Sequence, residues 1–281
     1  MFKFVCFALL FVLSATLFSL RVEIQIDDPQ LLELVSRNIR EVAGELEELF
    51  GFSLSSKVVV QLGERSSSRL GFVQMGREEY VVVLSVAEAF HRTLRHEMMH
   101  VYLDSWARRR SVDVPLWVHE GFANWFEAAA GYRTLDLVLS GWPPLDPLSF
   151  QDYPEDDRLS SYYVYVTDLF FALDSRINFR DHLGELLSLV EEGDTWREAF
   201  AKMLGDDFES FYRVWKWRAY LLAFSGWAMK WAVWLVGPIL LMVFVFKRMV
   251  VRKDYDVTPE ELEELERIYG ERFWEKEDGG T

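Results

Sequence analysis

The chain has 281 residues, half of them hydrophobic, and a formal net charge of −15. That length suits one ordinary domain with appendages. The acidic balance, with no stripe of Lys and Arg to neutralise phosphates, excludes a nucleic-acid partner.

At the N-terminus, Lys3 precedes an apolar run from Phe4 to Leu13, with the small residues Ser14 and Ala15 behind it. This is the layout of a secretory signal, assigned to residues 1–19; an uncleaved signal-anchor fits the same pattern. Cys6, the only cysteine, lies inside that run, so the exported part holds no disulfide. Arg21 to Asp27 alternates as an edge strand does. Asp28 and Pro29 open a helix whose apolar residues keep helical spacing up to Gly51. Lys57–Leu62 and Tyr80–Val86 are β-branched strands, with LGFVQMG between them as a third and Ser66 to Ser68 marking a loop. A long helix follows from Val86 to Arg108. After Pro115 another begins near Trp117. The Pro- and Asp-rich stretch 141–158 reads as a loop between two halves. Beyond it Ser160–Asp174, Asp181–Glu192, Thr195–Leu204 and Asp207–Tyr220 read as four amphipathic helices.

Gly226 to Phe246 is apolar and long enough to cross a bilayer, since about 20 residues at 1.5 Å each span the hydrocarbon. Trp227, Trp231 and Trp234 crowd one end as an interfacial belt, and Lys247, Arg248, Arg252 and Lys253 follow the other, which suits the cytoplasmic side. Arg213, Lys216 and Arg218, ahead of the span, and Lys230, near its start, pull the other way. Gly237-Pro238 is expected to bend the helix without ending it. The tail from Thr258 to Phe273 reads as a short polar helix with Thr258 as its cap. Asp254 to Thr281 carries 11 acidic against 3 basic residues. The expected organisation is a signal over 1–19, an extracytoplasmic domain over 20–225, a transmembrane helix over 226–246 and an acidic cytoplasmic tail over 247–281.

The chemistry sits in LRHEMMHVYLD, Leu94 to Asp104. His96 and His100 are one helical turn apart and share a face, and Glu97 lies beside that face. H-E-x-x-H alone also fits a solvated helix, so a third ligand has to be found. The passage PLWVHEGFANWFE, Pro115 to Glu127, offers it on a returning helix. Glu120 completes a His-His-Glu set that leaves one position open for water, the mark of a catalytic zinc site. Gly121 removes a side chain where two helices approach, and Trp117, Phe122, Trp125 and Phe126 are core residues.

HEMMH followed by WVHEGFA resembles the gluzincin metallopeptidases, and most closely their small peptidase-MA-like domain, distantly similar to the M1 aminopeptidases. The resemblance spans most of residues 28–222, through SSYYVYVTDLFF to FESFYRVW. It implies an α+β, zincin-like fold: a small mixed sheet, a motif helix, and a C-terminal helical half closing the cleft. It implies Zn²⁺ held by His96, His100 and Glu120, with Glu97 as general base and acid in hydrolysis of a peptide or protein substrate. Gluzincins commonly add a tyrosine for the oxyanion; Tyr162, Tyr163 and Tyr165 compete for that role, and Tyr162 is the expected one. Asn124, one turn after Glu120, is expected to accept from His96, although relatives often carry an acid there. Asp104 and Glu127 are alternatives, and His119 is either a support for the ligands or a substrate contact. A bound peptide is expected to add to the sheet edge at Tyr80–Val86. A rival reading is an inactive ectodomain that binds a partner and signals through the tail, and a third is hydrolysis of a bond other than an amide.

Overall fold

The computed structural model describes residues 21–63, 71–76, 79–85, 90–128, 135–140, 143–253 and 258–269. The signal over 1–19, the Ser66 to Ser68 loop, the expected start of the motif helix at Val86 and the end of the tail helix lie outside them.

Strand β1 (Arg21–Gln25) leads into helix α1 (Pro29–Phe50). Asp28 caps α1 by accepting from the backbone N–H groups of Gln30 and Leu31, and Gly51 ends it with φ of 68°. Its buried stripe, Val35, Ile39, Val42, Ala43, Leu46 and Phe50, holds the helical period that the sequence shows. Strands β2 (Lys57–Gly63), β3 (Gly71–Met75) and β4 (Glu79–Ser85) complete a four-stranded sheet of order β1-β2-β4-β3. β1 and β4 run parallel to β2, while β3 runs antiparallel to β4. The architecture is therefore mixed α+β.

This order corrects one expectation. β4 is hydrogen-bonded on both sides, pairing Val60 with Val82 on one and Val73 with Val82 on the other. Among the described residues, Glu79–Ser85 therefore offers no free edge for the peptide expected at Tyr80–Val86, and the edge strands are β1 and β3.

Helix α2 (Phe90–Arg110) packs on the sheet and ends at Ser111, whose φ is 55°. Tyr80 of β4 donates to Asp104 of α2 at 2.8 Å, and Arg108 of α2 reaches the Gly76 carbonyl at 2.6 Å. Arg95, buried, donates to both carboxylate oxygens of Glu45 on α1 (2.7 and 2.9 Å) and to the carbonyl of Phe126. One side chain thus ties α2 to α1 and to helix α3 (Leu116–Ala128).

The helical half comprises α4 (Leu135–Leu139), a 3₁₀ turn (Pro147–Ser149), α5 (Asp156–Ile177), α6 (Phe179–Glu191), α7 (Trp196–Leu204) and the first part of α8 (Phe208–Lys253). Phe122 of α3 meets Phe170 of α5 and Phe179 of α6 edge-on, at 4.9 and 5.1 Å between ring centres. Gly121 is what lets α3 and α5 close: a Cβ there would lie 1.9 Å from Cε2 of Phe170.

α8 corrects a second expectation. The amphipathic helix expected to stop at Tyr220 and the apolar segment from Gly226 form one helix, with Pro238 inside it. Where α8 passes α4, a Cβ on Gly226 would lie 1.8 Å from the Val138 carbonyl oxygen, so only glycine fits. Tyr212, Trp215, Ala219 and Ala223 of α8 are buried, whereas Val214, Trp217, Leu221 and Phe224 on the opposite face are exposed.

The chain divides into two compact units, Met1–Gly226 and Trp227–Thr281. Among the described residues one helix, Phe208–Met249, is long and apolar enough to cross a membrane; its most apolar window has a mean hydropathy of 2.0 and is 0% buried. Beyond it, α9 (Pro259–Tyr269) is capped by Thr258, whose hydroxyl accepts from the Glu261 N–H.

Candidate metal centre

α2 presents His96 and His100 on one face, and α3 returns across that face with Glu120. The three can each offer one ligand atom such that all lie within 4.8 Å of one another. The two imidazole Nε2 atoms are 3.1 Å apart. Nε2 of His96 lies 3.5 Å from Oε2 of Glu120, and Nε2 of His100 lies 3.5 Å from Oε1. Glu120 is 1% exposed, and its Oε2 has no hydrogen-bond partner. A buried carboxylate oxygen without a donor is costly unless a cation faces it. Two imidazoles and a carboxylate aimed at one point fit a small divalent metal.

No family model, no curated protein and no solved structure matches this chain. The reading of this centre therefore rests on its own geometry.

The electrostatics sort the donors. Burial pushes His100 down to about 3, so its imidazole is neutral. Burial also opposes charge on His96, yet Glu120 and Glu127 together hold its pKa well above the ordinary value. Burial would raise Glu120, but His100, His96 and the Tyr153 hydroxyl bring it down to about 2. Glu97, 5% exposed, is raised to about 7 by burial, against the pull of His96. A carboxyl poised near neutrality beside such donors is suited to move protons.

Around this set the structure distributes the remaining candidates. Nδ1 of His96 lies 3.0 Å from Oε2 of Glu127. Asn124, expected in that place, is buried and its Nδ2 has no partner. Two turns of α3 beyond Glu120 bring Glu127 to His96, where one turn brings Asn124 only into the interior. Asp104 faces away toward the sheet, accepting from Tyr80 and pairing with Arg108 at 2.6 Å. His119 is in contact: its Nδ1 is 3.3 Å from Nδ1 of His100.

Of the three tyrosines on α5, Tyr165 is remote, its hydroxyl accepting from Ser140 at 3.3 Å. Tyr163 sets its ring 6.4 Å from that of His96. Tyr162 is buried against Phe150 and Tyr163, and its hydroxyl has no partner. Burial raises its pKa, as does the Glu120 charge. His182 pairs with Glu185 away from the site, while the side chain of His91 is outside the described residues.

Sequence reasoning missed Tyr153. It stands in the segment read only as a connecting loop, half-exposed, and its hydroxyl donates to Oε1 of Glu120. The one available signal was the length of that loop, since long ordered loops tend to carry function.

Proposed function

We propose that this chain is a membrane-anchored zinc metallopeptidase with a zincin-like ectodomain. The observation that carries the reading is the convergence of His96, His100 and Glu120, with Oε2 of Glu120 buried and without a donor. His100 would offer its Nε2 lone pair, His96 would do so once a bound cation displaces its Nε2 proton, and Glu120 would offer its carboxylate. Zinc bound there would lower the pKa of a coordinated water and polarise a substrate carbonyl.

The chain's own groups do the rest. Glu97 takes a proton from the attacking water and delivers it to the leaving amine, a task its raised pKa suits. Tyr162, whose hydroxyl lacks a partner, donates to the carbonyl oxygen as that oxygen gains charge. Glu127 accepts from Nδ1 of His96, leaving Nε2 free to ligate. With β4 central, a peptide would add to the sheet at one of the edge strands, β1 or β3.

The apolar part of α8 anchors the chain, with the ectodomain outside and Lys247, Arg248, Arg252 and Lys253 on the cytoplasmic side. The test is metal analysis of the detergent-purified chain, followed by incubation with a peptide mixture and mass spectrometry of the products. About one zinc per chain and new cleavage products are expected. A protein purified without chelators that holds no zinc would overturn the metal centre; zinc without cleavage would favour the partner-binding ectodomain.

A further inference from the structure

We infer that His119 is a positioning residue that selects the metal-binding tautomer of His100. The inference rests on the metal centre proposed above. His100 turns its two ring nitrogens to two different jobs: Nε2 faces Nε2 of His96 at 3.1 Å and Oε1 of Glu120 at 3.5 Å, whereas Nδ1 faces Nδ1 of His119 at 3.3 Å. The two rings are tilted by 40° with centres 5.5 Å apart, a meeting at the nitrogens rather than a stack.

A neutral imidazole has one N–H donor and one lone-pair acceptor. Two Nδ1 atoms in contact share a single proton, because two protons or two lone pairs there repel. With that proton on His100, Nδ1 donates to His119 and Nε2 of His100 presents its lone pair to the centre. With it on His119, Nε2 of His100 carries a hydrogen aimed at His96 and Glu120 and cannot ligate. His119 as acceptor therefore fixes both the rotation and the tautomer of His100.

The two ligand histidines are then held by different chemistry. A carboxylate, Glu127, backs His96. A neutral imidazole backs His100. A carboxylate makes the ligand it supports more basic; an imidazole orients it while adding no negative charge. Placing His119 directly before Glu120 also makes one turn of α3 deliver a ligand and the support of another.

The experiment uses the full chain in detergent, with Zn²⁺ affinity measured by competition against a chromophoric chelator and the absorption spectrum of the Co²⁺ form as a report on coordination. His119→Ala should lower Zn²⁺ affinity by about 10–100-fold and alter the Co²⁺ spectrum. His119→Gln, whose Oε1 can accept from Nδ1 of His100, should restore both close to those of the unaltered chain. If His119→Ala leaves affinity and spectrum unchanged while the unaltered chain holds zinc, the positioning role is wrong and the metal centre stands. If His119→Gln falls as far as His119→Ala, acceptance of the His100 proton is not what matters and the inference fails. If the unaltered chain binds neither metal, the metal centre itself fails and takes this inference with it.

Discussion

The Tyr153 hydroxyl, from the irregular segment ahead of α5, donates to Oε1 of Glu120 on α3, while Oε2 of the same carboxylate has no donor. The two oxygens of Glu120 are therefore not equivalent. Each faces a histidine Nε2 at 3.5 Å, but only Oε1 is also tied to the half-exposed Tyr153.

Two tyrosines near Glu120 can be told apart by what each loses. Tyr162→Phe should lower kcat by about 10²–10³, the usual effect of removing one oxyanion donor, with zinc retained. Tyr153→Phe should instead change zinc affinity, because it removes a hydrogen bond from a ligand oxygen. Steady-state kinetics and chelator competition on both variants check this. The opposite pattern would transfer the oxyanion role to Tyr153.

Glu97→Gln keeps the size of the side chain and removes its ability to accept a proton. Hydrolysis should fall by at least about 10²–10⁴-fold, the range of general acid–base contributions, with the zinc content of the purified chain unchanged. Equal cleavage by both proteins would exclude Glu97 as the base.

Gly121→Ala should destabilise the fold. Its Cβ would sit 1.9 Å from Cε2 of Phe170, a fully buried ring. Overpacking of this kind costs about 1–3 kcal/mol, read as a lower Tm. An unchanged Tm would mean that α3 and α5 do not approach as closely as described.

Asp146 provides a pH dependence. Burial would raise its pKa, but the hydrogen bonds from Lys216, at 2.5 Å, and from Tyr212 hold it below the ordinary value. A carboxyl depressed by folding stabilises above its unfolded pKa of about 3.9 and loses that contribution as pH falls through the folded pKa. Urea unfolding of the detergent-solubilised chain should show Asp146→Asn less stable than the unaltered chain at pH 6, with the gap closing toward pH 3. A gap that does not depend on pH would show that the carboxylate charge contributes nothing.

How much of this was legible depends on the range of each interaction. His96, His100 and Glu97 are read from spacing within one helix, where period alone fixes a shared face. Glu120 was reachable because a returning helix of suitable length carries it. The partner of His96 was not, since the crossing of α2 and α3 decides whether the first or second turn after Glu120 faces that ring, and no pattern within either helix encodes that crossing. The β-branched run Tyr80–Val86 marks a strand but not its neighbours, so a central strand was taken for an edge. Tyr153 lies in irregular chain, where no period relates position to direction. The continuity of α8 was hidden by the change from amphipathic to mainly apolar composition, which reads as a boundary although the backbone ignores it.

A chain cut after Ser225 would shed the apolar span and still carry Val214, Trp217, Leu221 and Phe224 on one outward face. These four side chains recur every three or four residues, which makes a contiguous strip of greasy surface rather than scattered single residues. The released fragment should therefore be monodisperse only when dilute or in mild detergent, and should self-associate as its concentration rises. Replacing Trp217 and Leu221 with polar residues is the handling remedy, because both side chains are exposed and outside the core.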